Sequence, residues 1–160
     1  MTFSIVHHFG VSWRAVAPRR ADSERASQVR ERVTCRIVIC DDNDVYRSMM
    51  CMVLELDRRF DVVGQAIDGR QAIEVCREQQ PDIVLLDIAM PIMDGIEALP
   101  EIRRECPASR ILMNSAFLES SVGQQCLDRG ANGYVEKGVE LAALLDTLAR
   151  ASALEARDRL

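Results

Sequence analysis

Three stretches of the chain carry side chains suited to phosphoryl chemistry. They are the acidic run Asp41-Asp42-Asn43-Asp44, the single acid Asp87 behind a run of aliphatics, and Glu136-Lys137, which holds the only Lys among 20 basic residues. If Asp41, Asp42 and Asp87 met, their carboxylates would repel one another unless a hard cation sat among the oxygens. Mg2+ suits such a site, because it takes one or two carboxylates, waters and a phosphate oxygen. With the charge neutralised, a carboxylate can attack a phosphoryl group and form an acyl phosphate. Such a transfer asks mainly for positioning and charge compensation.

These residues are far apart in sequence, so the intervening elements must gather them. From residue 36 onward, short β-branched or Leu-rich runs alternate with longer stretches of helical period, which predicts repeated βα units and a parallel sheet. Strands are expected at about 36–40, 61–66, 83–86, 110–114 and 132–136. The third, continuously apolar, reads as the most buried. Helices are expected at about 44–56, 69–79, 95–105, 119–129 and 139–153. The first should pack through Val45, Met49, Met52, Val53 and Leu56, the second through Ala72, Ile73 and Cys76, and the last through Leu141, Leu144, Leu145 and Leu148. The Met cluster at 49, 50 and 52 is read as packing rather than as a binding surface. Asp44, Asp68 and Asp94 read as helix caps or turn formers, and Pro100 should shorten or kink the third helix.

The expected class is α/β, a (βα)5 doubly wound five-stranded parallel sheet. Ligands bind such sheets at the carboxyl ends of the strands, where strand order reverses. Asp41 and Asp42 follow the first strand, Asp87 ends the third, Asn114-Ser115-Ala116 end the fourth, and Glu136-Lys137 end the fifth. Acids, a hydroxyl and the lone Lys therefore converge at one edge.

Composition narrows the function. Residues 1–34 hold six Arg against three acids, whereas residues 35–160 hold 14 basic against 22 acidic side chains. An acidic body is a poor phosphate-backbone binder, so no direct nucleic-acid binding is expected. No apolar run is long enough to span a bilayer and no secretory signal is evident, so a soluble, cytoplasmic protein without membrane insertion is expected. The six cysteines include no C-x-x-C pair and read as reduced, buried small hydrophobes. His7 and His8 read as solvated. The division expected is an N-terminal extension over 1–34, a βα domain over 35–153 and a tail over 154–160. The extension reads either as a mobile arm or as a product of start-codon choice, and no second domain is expected after residue 150.

The stretch from about 36 to 150 resembles the receiver domains of bacterial response regulators, the CheY-like phosphoacceptors of two-component signalling. The residues that carry the resemblance are Asp41-Asp42, the strand and acceptor Pro81-Asp82-Ile83-Val84-Leu85-Leu86-Asp87, the loop Met90-Pro91-Ile92-Met93-Asp94-Gly95, Ser115-Ala116, Gly130-Ala131 and Tyr134-Val135-Glu136-Lys137. GQAIDG and GANGYVEKG resemble receivers that precede LuxR/NarL-like helix-turn-helix domains.

The resemblance implies the flavodoxin-like strand order 2-1-3-4-5. It implies that Asp87 accepts a phosphoryl group from a phosphohistidine of a histidine kinase or histidine phosphotransfer protein. Asp42, Asp87 and the Ala89 backbone carbonyl would hold Mg2+, with Asp41 acting largely through water. Lys137 would pair with the carboxylate and then with a phosphate oxygen, Ser115 would hydrogen-bond the phosphoryl group, and Tyr134 would be the aromatic switch responding to Ser115. A core role for Tyr134 remains open beside the switch. A downstream protein target and a homodimer through the 119–150 face are also implied. Where many receivers place Pro after the Lys, Gly138 stands here. Ala89 and Phe117, at positions resembling the lifetime-tuning sites, carry no group to orient an attacking water, so a long-lived phosphoaspartate is expected.

The leading reading is thus a single-domain receiver that is a phosphoacceptor rather than an enzyme. Its nearest rival is the receiver portion of a DNA-binding regulator. A Mg2+-dependent phosphohydrolase would want a second acid two residues past the nucleophile, where Ala89 stands. A nucleotide or flavin binder would not put four acidic or amide residues in its first phosphate loop.

Overall fold

The computed structural model of the protein describes residues 34–116 and 120–158. The expected extension over 1–34 lies outside the described residues but for its last position, and Phe117 lies outside them too.

Five βα units follow one another. Strands β1 (Cys35–Cys40), β2 (Phe60–Ala66), β3 (Ile83–Asp87), β4 (Arg110–Ser115) and β5 (Gly133–Glu136) alternate with helices α1 (Asp44–Leu56), α2 (Gly69–Gln79), α3 (Gly95–Glu105), α4 (Ser120–Asp128) and α5 (Leu141–Asp158). All pairings are parallel and the order is β2-β1-β3-β4-β5, the expected doubly wound class and order. Helix α5 runs past its expected end at 153, so the backbone of the expected tail is helical as far as Asp158.

Alternation along the strands builds two cores. Val38, Val84, Leu86, Ile111 and Met113 face one side and meet Ala72, Cys76, Leu99 and Ile102 of α2 and α3. Ile37, Ile39, Ile83, Leu85 and Leu112 face the other and meet Met50 and Leu54 of α1 with Leu144 and Leu148 of α5. Every residue of β3 is buried, as its unbroken apolar run requires. All six cysteines are free and buried, and burial raises the Cys106 thiol to about 11.

The face expected for α1 is corrected. Val45, Met49, Met52 and Leu56 are 80%, 46%, 64% and 79% exposed, while Met50, Cys51 and Leu54 are buried. Apolar residues run almost all the way round this helix, so spacing alone does not choose the buried row. The stripe chosen from the sequence is one residue, about 100° of helix, out of phase. Met49 and Met52 are therefore surface residues, and only Met50 of the cluster packs. In α5 the expected set holds for Leu144 and Leu148, with Leu145 partly buried, but Leu141 is exposed.

Caps follow the sequence with one exception. Asp68 caps α2 through Gln71 N–H, and Asp94 forms a capping box with Glu97 at α3. The cap of α1 is Asn43 rather than Asp44, its side chain accepting from Tyr46 N–H, while Asp44 pairs with Arg47 one turn on. Pro100 does not shorten α3, which continues to Glu105. The Ile96 carbonyl that a residue-100 N–H would have satisfied accepts instead from Arg129 Nη1 at 3.4 Å.

Candidate functional site

The chain reverses direction of winding between β1 and β3, and the crevice beyond their carboxyl ends is where Asp41 and Asp87 emerge. Both are buried, whereas Asp42 is exposed at the rim. One carboxylate oxygen from each of Asp41, Asp42 and Asp87 lies within 4.8 Å of the others. Three separated sequence positions are thus brought together.

Lys137 reaches in from the end of β5. Its Nζ is 2.7 Å from Asp41 Oδ2 and 2.8 Å from Asp87 Oδ2, with only 17% of its side chain exposed. The contact to Asp87 is a directed hydrogen bond. The contact to Asp41 is an ion pair without hydrogen-bond alignment, which leaves Asp41 Oδ2 a buried oxygen that receives no directed donor from the described residues. Asp41 Oδ1 accepts from Asn43 N–H at 2.9 Å, and the Asp41 carbonyl accepts from Arg47 Nη1 at 2.6 Å.

Two acids share one ammonium here. Burial raises the pKa of Asp87, Lys137 pulls it back, and the Asp41 charge raises it again, with the net direction upward. For Lys137 burial acts downward, but the close contacts and charges of Asp41 and Asp87 outweigh it and hold the ammonium above its ordinary value. A cluster with an excess of carboxylate and an undirected buried oxygen fits a hard divalent cation. Asp41, Asp42 and Asp87 are the residues that would hold it.

Ser115 ends β4 one position beyond Asn114, the register partner of Asp87, and is buried. Its carbonyl accepts from Lys137 N–H at 2.8 Å, so the serine and the lysine are fixed to each other through the backbone. Ala116 is exposed beside it. Ala89 is exposed in the loop two residues past Asp87. Tyr134 is 57% exposed on β5, which removes the core reading left open above. Gly138 takes φ +98°, which proline, locked near −65°, could not adopt.

Gly95 serves the site by close approach. A Cβ there would stand 2.0 Å from the Asp87 carbonyl oxygen, so only glycine lets α3 begin directly against the backbone of Asp87.

Tyr46 escaped the sequence reading, and Asn114 was placed at the end of its strand without a role. Tyr46 of α1 lies with its ring centroid 4.9 Å from Lys137 Nζ and its hydroxyl donating to Asn114 Oδ1 at 2.7 Å. The Asn114 side-chain amide in turn donates to the Val135 carbonyl at 3.1 Å. The chain has two tyrosines. The one within reach of the lysine is Tyr46, four residues past the acidic pair.

The sequence model of the response regulator receiver domain matches residues 37–149. The chain belongs to that family. Among curated proteins this receiver is 35% identical over 116 residues to the transcriptional regulatory protein LnrK of Bacillus subtilis, a match covering 72% of this chain and 51% of that protein. It is 29% identical over 120 residues to the response regulator protein VraR of Staphylococcus aureus, covering 75% of this chain and 57% of that one. This receiver therefore spans about half the length of those relatives. Among solved structures it is similar to a LuxR-family two-component response regulator from Aurantimonas, at 33% identity and TM-score 0.71, covering 75% of this chain and 86% of that one. It is also similar to CheY from Borrelia burgdorferi in a complex with CheX, BeF3 and Mg2+, at 28% identity and TM-score 0.68, covering 72% of this chain and 87% of that one. Among the described residues no helix is long and apolar enough to cross a membrane.

Proposed function

We propose that this receiver accepts a phosphoryl group on Asp87 from a phosphohistidine of a histidine kinase or histidine phosphotransfer protein, and that the phosphorylated form alters contacts with a protein partner. The observation that carries the reading is the buried Asp87 carboxylate at the crevice, held at 2.8 Å by the chain's single lysine beside two further acids. In the transfer an Asp87 oxygen attacks phosphorus, the P–N bond breaks, and its electron pair returns to the imidazole. Mg2+ bound at Asp41, Asp42, Asp87 and the Ala89 carbonyl would neutralise charge on the phosphoryl oxygens. Lys137 holds the carboxylate before transfer and follows a phosphoryl oxygen after it. Ser115, tied to Lys137 through its carbonyl, offers its hydroxyl to the same group, and Tyr134 responds as the switch.

The exposed row Val45, Met49, Met52 and Leu56 begins beside the acidic loop and offers an apolar surface for the phosphodonor. The 119–150 face carries Leu127, Tyr134, Val139 and Leu141 exposed and offers the output or homodimer surface. A second reading, the receiver part of a DNA-binding regulator, is favoured by the half-length match to a transcriptional regulatory protein. The phosphoacceptor chemistry is common to both.

Incubation with acetyl phosphate tests the reading. Labelling of the wild type that requires Mg2+ and vanishes in Asp87→Asn is expected. Undiminished labelling of Asp87→Asn would sink the assignment.

A further inference from the structure

We propose that Tyr46 is a positioning residue for the phosphoryl-transfer step, acting through Lys137, whose ammonium its aromatic face retains while the lysine changes partners. This deepens the phosphoacceptor reading and rests on it.

A closed circuit of contacts fixes Tyr46 relative to the lysine. Asp41 Oδ1 accepts from Asn43 N–H, Asn43 Oδ1 accepts from Tyr46 N–H at 3.0 Å, the Tyr46 ring faces Lys137 Nζ at 4.9 Å, and Lys137 Nζ returns to Asp41 Oδ2 at 2.7 Å. The phenol is anchored independently. Its hydroxyl donates to Asn114, a buried residue that bonds β5 and sits in register with Asp87. These contacts place the ring between α1 and the lysine.

The chemistry gives this placement a purpose. When acetyl phosphate donates, an Asp87 oxygen forms the new bond to phosphorus and acetate leaves with the electron pair of the broken P–O bond. The carboxylate that held Lys137 becomes an acyl phosphate, and the ammonium must leave one oxygen for another on the phosphoryl group. A carboxylate partner constrains direction, whereas a π face attracts a cation without a directional lone pair. Tyr46 thus keeps the ammonium in the crevice throughout the exchange and limits it to the region between Asp41 and the acceptor. Because Tyr46 belongs to the helix whose neighbouring Val45 opens the exposed apolar row, a protein seated on α1 would act on the lysine through this ring.

The single lysine makes the test direct. Protein grown with 13C-lysine gives one ε-methylene signal, which ring current from Tyr46 should move upfield of free lysine. That shift is expected to persist in Tyr46→Phe and to disappear in Tyr46→Leu and Tyr46→Met, two apolar replacements without a π face. Acetyl phosphate labelling of Asp87 should slow about fivefold in Tyr46→Leu and Tyr46→Met and be restored in Tyr46→Phe. Wild-type rates in Leu and Met variants of unchanged melting temperature would overturn the proposal. So would equal slowing in Tyr46→Phe, because the Asn114 contact would then be responsible. If the wild type itself takes no phosphoryl group on Asp87, the phosphoacceptor reading fails and the positioning role falls with it. If the wild type labels and the variants keep pace, only the positioning role falls.

Discussion

Replacing Lys137 by Met removes the cation that lies between two buried carboxylates, and the cost can be worked from the geometry. The ammonium lies 2.7 Å and 2.8 Å from oxygens of Asp41 and Asp87, whose side chains are 1% and 4% exposed. At an effective dielectric of about 20, each contact is worth roughly 6 kcal/mol of Coulomb attraction before desolvation. Desolvation of the ammonium offsets several kcal/mol of that, and breaking a buried pair by removing one partner typically costs about 3–5 kcal/mol. Proton uptake by Asp87, whose pKa burial already raises, limits the cost, so Lys137→Met should lose about 3 kcal/mol at neutral pH without Mg2+, a large share of the roughly 5–15 kcal/mol of a typical domain. The loss should shrink on acidification, as Asp87, whose pKa is raised, takes up a proton and no longer needs a cation. It should also shrink on adding Mg2+, since the divalent ion replaces the missing charge. A ligand at about 100 times its Kd contributes about 2.7 kcal/mol. Equilibrium urea unfolding of wild type and variant, in EDTA and in Mg2+ and across acidic to neutral pH, measures each effect. A variant as stable as wild type at neutral pH in EDTA, or equally penalised in Mg2+, would refute the view that Lys137 compensates this acidic cluster.

Further outcomes follow from the same geometry. Because the folded state raises the pKa of Asp87, chiefly through burial, its contribution is most favourable below the ordinary value of 3.8 and is lost as pH rises through the raised value. Asp87→Asn should therefore be more stable than wild type at neutral pH without Mg2+, with the advantage fading in acid, as pH-dependent unfolding would show. Gly95→Ala should cost about 2–3 kcal/mol in urea unfolding and slow labelling of Asp87, because its Cβ collides with the acceptor's own carbonyl. Ile92, 77% exposed with φ +69°, holds a conformation unfavourable to a β-branched residue, so Ile92→Gly should gain about 0.5–1 kcal/mol of stability. With Ala89 beside the acceptor unable to orient water, the phosphoaspartate should decay over minutes or longer in Mg2+ buffer, and a half-life of seconds would contradict this.

The fold was legible because β3 is continuously apolar and the punctuation around it is strong, so the strand ends carrying Asp41, Asp87, Ser115 and Lys137 could be placed at one edge. The buried face of α1 was not legible. A helix with apolar residues around most of its circumference has no unique amphipathic phase, and tertiary packing selected the row containing Met50 and Leu54. Tyr46 was overlooked for a related reason. Its meaning lies in a hydrogen bond to a residue 68 positions away and in a cation that topology alone delivers. The cap of α1 fell one residue from expectation because Asn43 and Asp44 are both good caps, and only the direction of the chain as it leaves β1 decides between them.

The lone lysine among 19 arginines gains meaning from this site. A compact ammonium on a flexible stem can sit between two carboxylates and a tyrosine face, whereas a planar guanidinium needs room for its fork.

The most direct test of the central claim is chemical trapping of the acyl phosphate. Protein incubated with acetyl phosphate and Mg2+ is treated with borohydride, which reduces an aspartyl phosphate to homoserine, and the peptides are sequenced by mass spectrometry. The account predicts homoserine at position 87 in a Mg2+-dependent yield. Homoserine at another aspartate, with position 87 intact, would contradict it.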